Sequence, residues 1–192
     1  MRFVGDIHGS FQEYKNLITG IDSSIQVGDF GLGFQEFPND LLNLPGKHRF
    51  IRGNHDNPNM CKEHPWYLGD YGYYVDGIFY LSGAFSRDYN DRIIGIDLWE
   101  NEELSMYDLY DALNLYEKSK PKIMITHDCP TCVKIDILRM SSINSKTNQA
   151  LQTMLEIYSP DLWIFGHYHR RINEVVRGTR FICLEKFGVF DL

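Results

Sequence analysis

The sequence predicts an α/β fold with one ligand-binding crevice. Short apolar runs of about 4–6 residues, β-branched or aromatic in character, recur along the chain and read as strands. Several of them end in a cluster of Asp, His, Asn or Gly, and helical patterns lie between some of them. Ligands of α/β sheets collect beyond the carboxyl ends of strands, so clusters at successive strand ends are expected to converge on one place.

The runs follow in order. Met1–Gly5 leads into Asp6-Ile7-His8-Gly9, Ser24–Val27 into Gly28-Asp29-Phe30-Gly31, and His48–Ile51 into Arg52–Asp56. Lys122–Thr126 leads into His127-Asp128, and Asp161–Phe165 into Gly166-His167-Tyr168-His169. A first helix is expected over Ser10–Ile18, where Ser10 and Glu13 have the spacing of a capping box. A second is expected over Ser105–Glu117, with Met106, Leu109, Tyr110, Leu113 and Tyr116 on one face. A third covers Asn144–Tyr158 and ends at Ser159-Pro160. Residues 71–96 and 171–192 alternate like antiparallel strands, with Gly77 and Gly178 at hairpin turns.

The chain has 192 residues, 43% hydrophobic and 14% aromatic, without repeat or linker-like tract, which suits a single domain over 1–192. A net charge of −7 argues against a protein that grips nucleic acid by a broad basic face. It leaves room for a small phosphate-containing substrate reached through metal ions. No window reaches the roughly 18–20 apolar residues of a membrane span. The N-terminus does not read as a leader, and Asp6 and His8 lie close to Met1. The four cysteines are too scattered for a disulfide scaffold, so a reducing, cytoplasmic setting is expected, in a bacterium or a phage-infected host.

Each cluster is weak alone. Asp6 and His8 fit a strand-to-turn junction, but side chains at i and i+2 of an extended segment face the same way and reach one ion. Gly28-Asp29 is a common turn pair, and an isolated His127 is more often structural than a ligand. Asn54-His55-Asp56 carries an imidazole and an acid that a turn does not need. His167 and His169 flank Tyr168 after an apolar strand. Together the clusters offer Asp, His, Asp, Asn, His, His and His, nitrogen and oxygen donors with no thiolate. That set suits Mn²⁺, Fe, Ni²⁺ or Zn²⁺ in a hydrolytic site better than a structural zinc knuckle. Seven donors exceed one tetrahedral ion and suit two divalent ions sharing a carboxylate, an arrangement that clamps a phosphoryl group and activates water. Two carboxylates against two divalent ions would leave an acidic protein with an anion-binding crevice.

The ordered set DIH (6–8), GD (28–29), GNHD (53–56), TH (126–127) and GHYH (166–169) resembles the calcineurin-like metallophosphoesterases over almost the whole chain. The resemblance implies a four-layer α-β-β-α sandwich of two mixed sheets flanked by helices. It also implies that Asp6, His8 and His169 bind one metal and Asn54, His127 and His167 a second, with Asp29 bridging. His55 would protonate the leaving-group oxygen, with Asp56 behind its imidazole. Protein Ser/Thr phosphatases of this superfamily follow GD with a further Asp and a phosphate-gripping Arg, whereas this chain reads GDFGLGF. The sequence therefore looks more like the small bacterial and phage phosphodiesterase-like branch. Phosphodiesters or small phosphomonoesters are the expected substrates, with a phosphoprotein phosphatase or a nuclease as the alternative within the superfamily.

Residues 62–104 are the expected cap or specificity insert. The aromatic stretch 64–74 reads as core packing or as a stacking wall for a nucleobase. Arg87 and Arg92 read as surface or ion-pair residues, or as phosphate contacts. Two remoter readings are a thiol redox site at Cys129-Pro130-Thr131-Cys132 and an inactive scaffold, against which stands the intact donor set.

Overall fold

The computed structural model describes residues 1–140 and 145–192. Among these residues ten strands form two sheets. The first has the order β10-β1-β2-β3, built from β1 (Arg2–Val4), β2 (Ser23–Gln26), β3 (Lys47–Phe50) and β10 (Val189–Asp191). The second has the order β4-β5-β6-β7-β9-β8, from β4 (Tyr71–Tyr74), β5 (Ile78–Leu81), β6 (Ile123–Thr126), β7 (Leu162–Phe165), β8 (Ile172–Val176) and β9 (Thr179–Cys183). Both are mixed: β1, β2 and β3 run parallel, as do β5, β6, β7 and β9, while β10, β4 and β8 are antiparallel edges.

The layering follows from strand alternation. On β6, Ile123 and Ile125 enter the core between the sheets, while Met124 faces the outer core. Leu162 and Ile164 against Trp163 and Phe165 repeat the pattern on β7. Strands buried on both faces must be apolar at every position, which is why these runs do not alternate in polarity. Phe3, Ile25 and Val27 complete the inner core from the first sheet. Outside the second sheet pack α3 (Met106–Ser119) and α4 (Lys146–Ile157), through Leu109, Tyr116, Leu151 and Met154. Outside the first pack α1 (Phe11–Ile18) and α2 (Pro58–Glu63), through Phe11, Tyr14, Ile18 and Cys61. The result is the expected four-layer α-β-β-α sandwich.

Several local expectations need correction. Ser10 makes no side-chain cap to α1, because the preceding turn closes instead through Ser10 N–H to Ile7 O at 2.9 Å and Phe11 N–H to Gly9 O at 2.8 Å. On α3 the buried stripe is Leu109, Ala112 and Tyr116, with Leu113 partly buried, whereas Met106 and Tyr110 are exposed. In the third helix, Asn144 lies outside the described residues, and Ser145 caps α4 by accepting from Asn148 N–H. The hairpins at Gly77 and Gly178 are present, each with two consecutive left-handed residues (Asp76-Gly77 and Arg177-Gly178). Within 71–96, however, strand structure ends at Leu81, and residues 82–104 form an irregular excursion before α3. Residues 71–81 of the expected insert are thus integral to the second sheet.

Candidate metal centre

The parallel strands of both sheets deliver their carboxyl ends to one edge of the sandwich. Asp6 and His8 follow β1, Asp29 follows β2, Asn54 and His55 follow β3, His127 follows β6, and His167 and His169 follow β7. Four of these residues hold left-handed backbone: His8 (φ 46°), Asp29 (φ 55°), His167 (φ 68°) and His169 (φ 51°). Such conformations cost on the order of 1 kcal/mol each for a side-chain-bearing residue and gather where the fold over-determines a functional geometry.

The donor atoms fall into two groups that share Asp29. Asp6, His8, Asp29 and His169 form one, and Asp29, His127 and His167 the other, with ligand atoms in each group within 4.8 Å of one another. His8 Nε2 lies 3.0 Å from His169 Nε2 and 3.8 Å from Asp29 Oδ2, and His169 Nε2 lies 3.0 Å from Asp6 Oδ2. On the other side His127 Nε2 is 3.3 Å from Asp29 Oδ1 and 3.2 Å from Asn54 Oδ1. The carbonyl of Val27 lies 2.9 Å from His127 Nδ1, so that nitrogen is a donor and Nε2 is the ring nitrogen directed at the centre. Gly53 and Gly166 allow the approach: a Cβ on Gly53 would fall 2.1 Å from Asp29 Oδ1, and one on Gly166 2.2 Å from Asp6 Oδ1.

The electrostatics match a cation-binding centre. Burial alone would raise the Asp29 pKa, but the imidazoles of His127, His55 and His8 hold its carboxyl well below the usual range. Burial alone would lower His127; Asp29 overcomes this and sustains a proton up to about 10. A field that favours positive charge at a buried imidazole also favours a cation placed there. Burial keeps His167 neutral down to about 4, with its lone pair available, and also lowers His8. Oxygen and imidazole donors around a shared carboxylate fit the expected transition-metal ions.

In the GNHD turn, Asp56 does not hold the His55 imidazole. Its buried carboxylate accepts four backbone N–H groups, from Phe30 (3.0 Å), Gly31 (2.6 Å), Leu32 (3.2 Å) and Gly53 (2.8 Å). It therefore ties the Asp29 loop to the GNHD loop, and the sequence-based role for it is corrected. His55 faces the crevice, with Nε2 3.9 Å from Asp29 Oδ2. Arg92 Nη2 lies 2.6 Å from that same Nε2, and since a guanidinium only donates, the imidazole accepts. Arg92 is braced by Asp88 at 2.8 Å and by the Asp97 carbonyl at 3.2 Å.

Arg87 and Arg92 both line a crevice of about 260 Å³ over Asp29 and His167, together with Arg170. Among the described residues the Arg87 guanidinium meets one polar partner, Met140 Sδ at 3.8 Å. The aromatics of 64–74 are not a wall of this crevice. Trp66 is buried, and it packs with Tyr67 against Phe30, Phe37 and Phe50 in the outer core of the first sheet. Rings that do flank His55 went unsignalled in the sequence: Phe34, at 5.8 Å between centroids, and Trp99, whose Nε1 donates to His55 O at 2.9 Å. Ser86, which accepts from Asn54 Nδ2 at 3.0 Å, was equally unmarked. Cys129 and Cys132 are free thiols whose pKa values burial pushes up, the opposite of an activated redox thiol.

Comparison with known proteins agrees with this geometry. The profile of the calcineurin-like phosphoesterases matches residues 2–171. Among solved structures, the fold is similar to a candidate 5'-nucleotidase from Staphylococcus aureus (TM-score 0.56, 16% identity), over 98% of this chain and 49% of that one. This chain thus spans about half the length of the Staphylococcus aureus protein. It is also similar to GAP50, the anchor in the inner membrane complex of Plasmodium (TM-score 0.52, 12% identity), over 95% of this chain and 70% of that one. Identities this low speak for the fold alone. No curated protein sequence matches significantly. No helix among the described residues is long and apolar enough to cross a membrane. Because the matched span runs from β1 past the histidines that follow β7, and so takes in every strand end that feeds the crevice, the chain belongs to the calcineurin-like phosphoesterase family.

Proposed function

We propose that the protein hydrolyses phosphoesters, phosphodiesters or small phosphomonoesters, with two divalent ions held by the strand-end clusters. The observation that carries this reading is the pair of donor groups sharing one buried carboxylate, Asp29. Asp6, His8 and His169 would hold one ion, Asn54, His127 and His167 the other, and Asp29 both. Manganese is the first choice, with iron, nickel or zinc compatible with the same nitrogen and oxygen donors. Bound there, the ions supply Lewis acidity toward the phosphoryl oxygens and lower the pKa of a water between them.

The chain's own residues do the rest. Asp56 fixes the two loops that carry Asp29 and Asn54 through its four backbone hydrogen bonds. His55 stands at the crevice wall, placed to give a proton to the leaving-group oxygen. In the resting arrangement Arg92 covers its Nε2. A phosphate oxygen of the substrate, a better acceptor for a guanidinium than a neutral imidazole, would draw Arg92 away and free that nitrogen to take up a proton from solvent, which it then gives to the leaving-group oxygen. Arg87, whose guanidinium meets the Met140 thioether among the described residues, supplies a second anion contact. Phe34 and Trp99 offer ring surface beside His55, which favours an ester carrying a flat group such as a nucleotide or the end of a nucleic acid.

The test compares two variants on a chromogenic phosphate diester. His55→Ala is expected to keep its full ion content and lose turnover by roughly 10²–10⁴-fold, the usual worth of a positioned acid. Asp29→Asn is expected to lose ions as well as turnover. A His55→Ala protein that binds fewer ions would overturn the assignment of His55 as a proton donor.

A further inference from the structure

The excursion 82–104 leaves the second sheet after β5 and is pinned at both ends to Arg52, the residue before the GNHD turn. Gly83 N–H donates to Arg52 O at 2.8 Å, and Arg52 Nη1 donates to Glu102 O at 2.7 Å. Arg52 is itself 2% exposed and held by Asp70 at 2.9 Å. Between these anchors lie two buried polar residues, Ser86 and Glu102. The Glu102 carboxylate accepts Ser86 N–H on Oε1 at 2.7 Å and Ser86 Oγ–H on Oε2 at 2.6 Å. The same Ser86 Oγ lies 3.0 Å from Asn54 Nδ2.

We infer that Ser86 and Glu102 are positioning residues for the ion held by Asn54, forming a hydrogen-bond relay that turns the amide oxygen of Asn54 toward the centre. This rests on the two-ion reading above. A carboxylate only accepts, so the single hydroxyl hydrogen of Ser86 is committed to Glu102. The hydroxyl can then offer Asn54 only a lone pair, and Asn54 must answer with its amino group. Its Oδ1 is thereby aimed the other way, where it lies 3.2 Å from His127 Nε2. An amide free to rotate would present N–H groups to a cation as readily as an oxygen.

The cost of the arrangement supports this role. Glu102 is a carboxylate buried to 5% exposure, and burial raises its pKa. Its oxygens bond the N–H and O–H of neutral Ser86, and Arg92 offsets the burial only from a distance. What the carboxylate adds is a fixed direction for the Ser86 hydroxyl, two bonds from a metal ligand.

Calorimetric titration of Mn²⁺ into the dialysed 192-residue protein tests the relay. The wild type is expected to show two sites. Glu102→Gln changes one atom at constant volume but brings an amino group to Ser86 Oγ. This reverses the hydroxyl, which then donates to Asn54 Oδ1 and swings the amino group toward the ion. One site is expected to weaken by roughly 10–100-fold, with the other within about twofold of wild type. Ser86→Ala is expected to do the same, and Ser86→Thr, which keeps the hydroxyl, to leave both sites in place. In an Asn54→Ala background Glu102→Gln is expected to change nothing further. Unchanged affinities in Glu102→Gln would overturn the relay. So would equal weakening of both sites together with a lower melting point of the metal-free protein, which would mark Glu102 as a mere loop anchor. A wild type that takes up no ion would overturn the functional reading and the relay with it; two wild-type sites with an indifferent Glu102→Gln would overturn the relay alone.

Discussion

Replacing Gly166 with alanine puts a methyl group where the Asp6 carboxylate sits. The added Cβ would lie 2.2 Å from Asp6 Oδ1, 3.4 Å from Asp6 Cγ and 3.3 Å from Val27 Cγ2. Restoring an ordinary contact requires the carboxylate to move by about 1 Å in a close-packed interior. That carboxylate accepts His167 N–H on both oxygens at 3.1 Å and approaches His169 Nε2 at 3.0 Å, so a shift of this size breaks contacts on two sides. Overpacking costs about 1–3 kcal/mol, and a lost hydrogen bond to a charged group a further ~1.5–3 kcal/mol. A reactive geometry displaced by 1 Å typically loses about 10²-fold in rate. Gly166→Ala is therefore expected to lower the melting point of the metal-free protein, to leave dialysis with less manganese than wild type, and to lose about two orders of magnitude of turnover. Gly178→Ala is the control: its Cβ would meet nothing within 4 Å, and at φ +84° it pays backbone strain alone, about 1–2 kcal/mol, with wild-type ion content. Gly166→Ala with unaltered ion content and turnover would refute the placement of Asp6 as a ligand pressed against this glycine.

Two further outcomes follow from residues outside the ligand set. Arg87→Ala is expected to raise KM for a nucleotide diester by roughly 10–100-fold, the worth of a charge-assisted hydrogen bond, with kcat held within about twofold; steady-state kinetics in manganese buffer checks this. His64 is packed among Phe37, Phe50 and Trp66, accepts Trp66 N–H at 3.1 Å, and is lowered by burial to about 4. The unfolded chain, with a histidine near 6.5, binds more protons between those values, so stability is lost as pH falls from about 6.5 to about 4. For a half-buried ring this amounts to about 1–2 kcal/mol after solvent screening. His64→Asn, which keeps an acceptor for Trp66 N–H, is expected to flatten urea-unfolding stability across that window; an unchanged slope would contradict the assignment.

The fold and the gathering of Asp, His and Asn side chains at one crevice were legible because each strand that feeds the crevice carries its own signal. Runs such as Ile123–Ile125 and Leu162–Phe165 are apolar at every position because alternate residues fill two different cores. The proposed ligands follow within a few residues of those runs. What the sequence could not carry is which partner a side chain meets across the fold. Asp56 stands next to His55 in sequence, yet its carboxylate is spent on backbone N–H groups 24 to 26 residues away and on Gly53. The aromatics of 64–74 looked available for stacking, but the β3 edge and the Phe30–Phe50 stack draw Trp66 and Tyr67 inward. Ser86 and Glu102 belong to no motif; Ser86 meets Asn54 from 32 residues away, and Glu102 meets Ser86 from 16, because both ends of their loop return to Arg52. The Ser10 cap failed for a related reason, since the turn after β1 is shaped to present His8 and not to begin α1 ideally.

The most direct measurement follows ion content and turnover of a chromogenic phosphate diester on the same dialysed sample, with chelator and then with manganese. Turnover is expected to vanish in excess EDTA and to return as manganese approaches about two equivalents per chain, the stoichiometry of a paired-ion phosphoryl clamp. Undiminished turnover in excess EDTA after dialysis would contradict it.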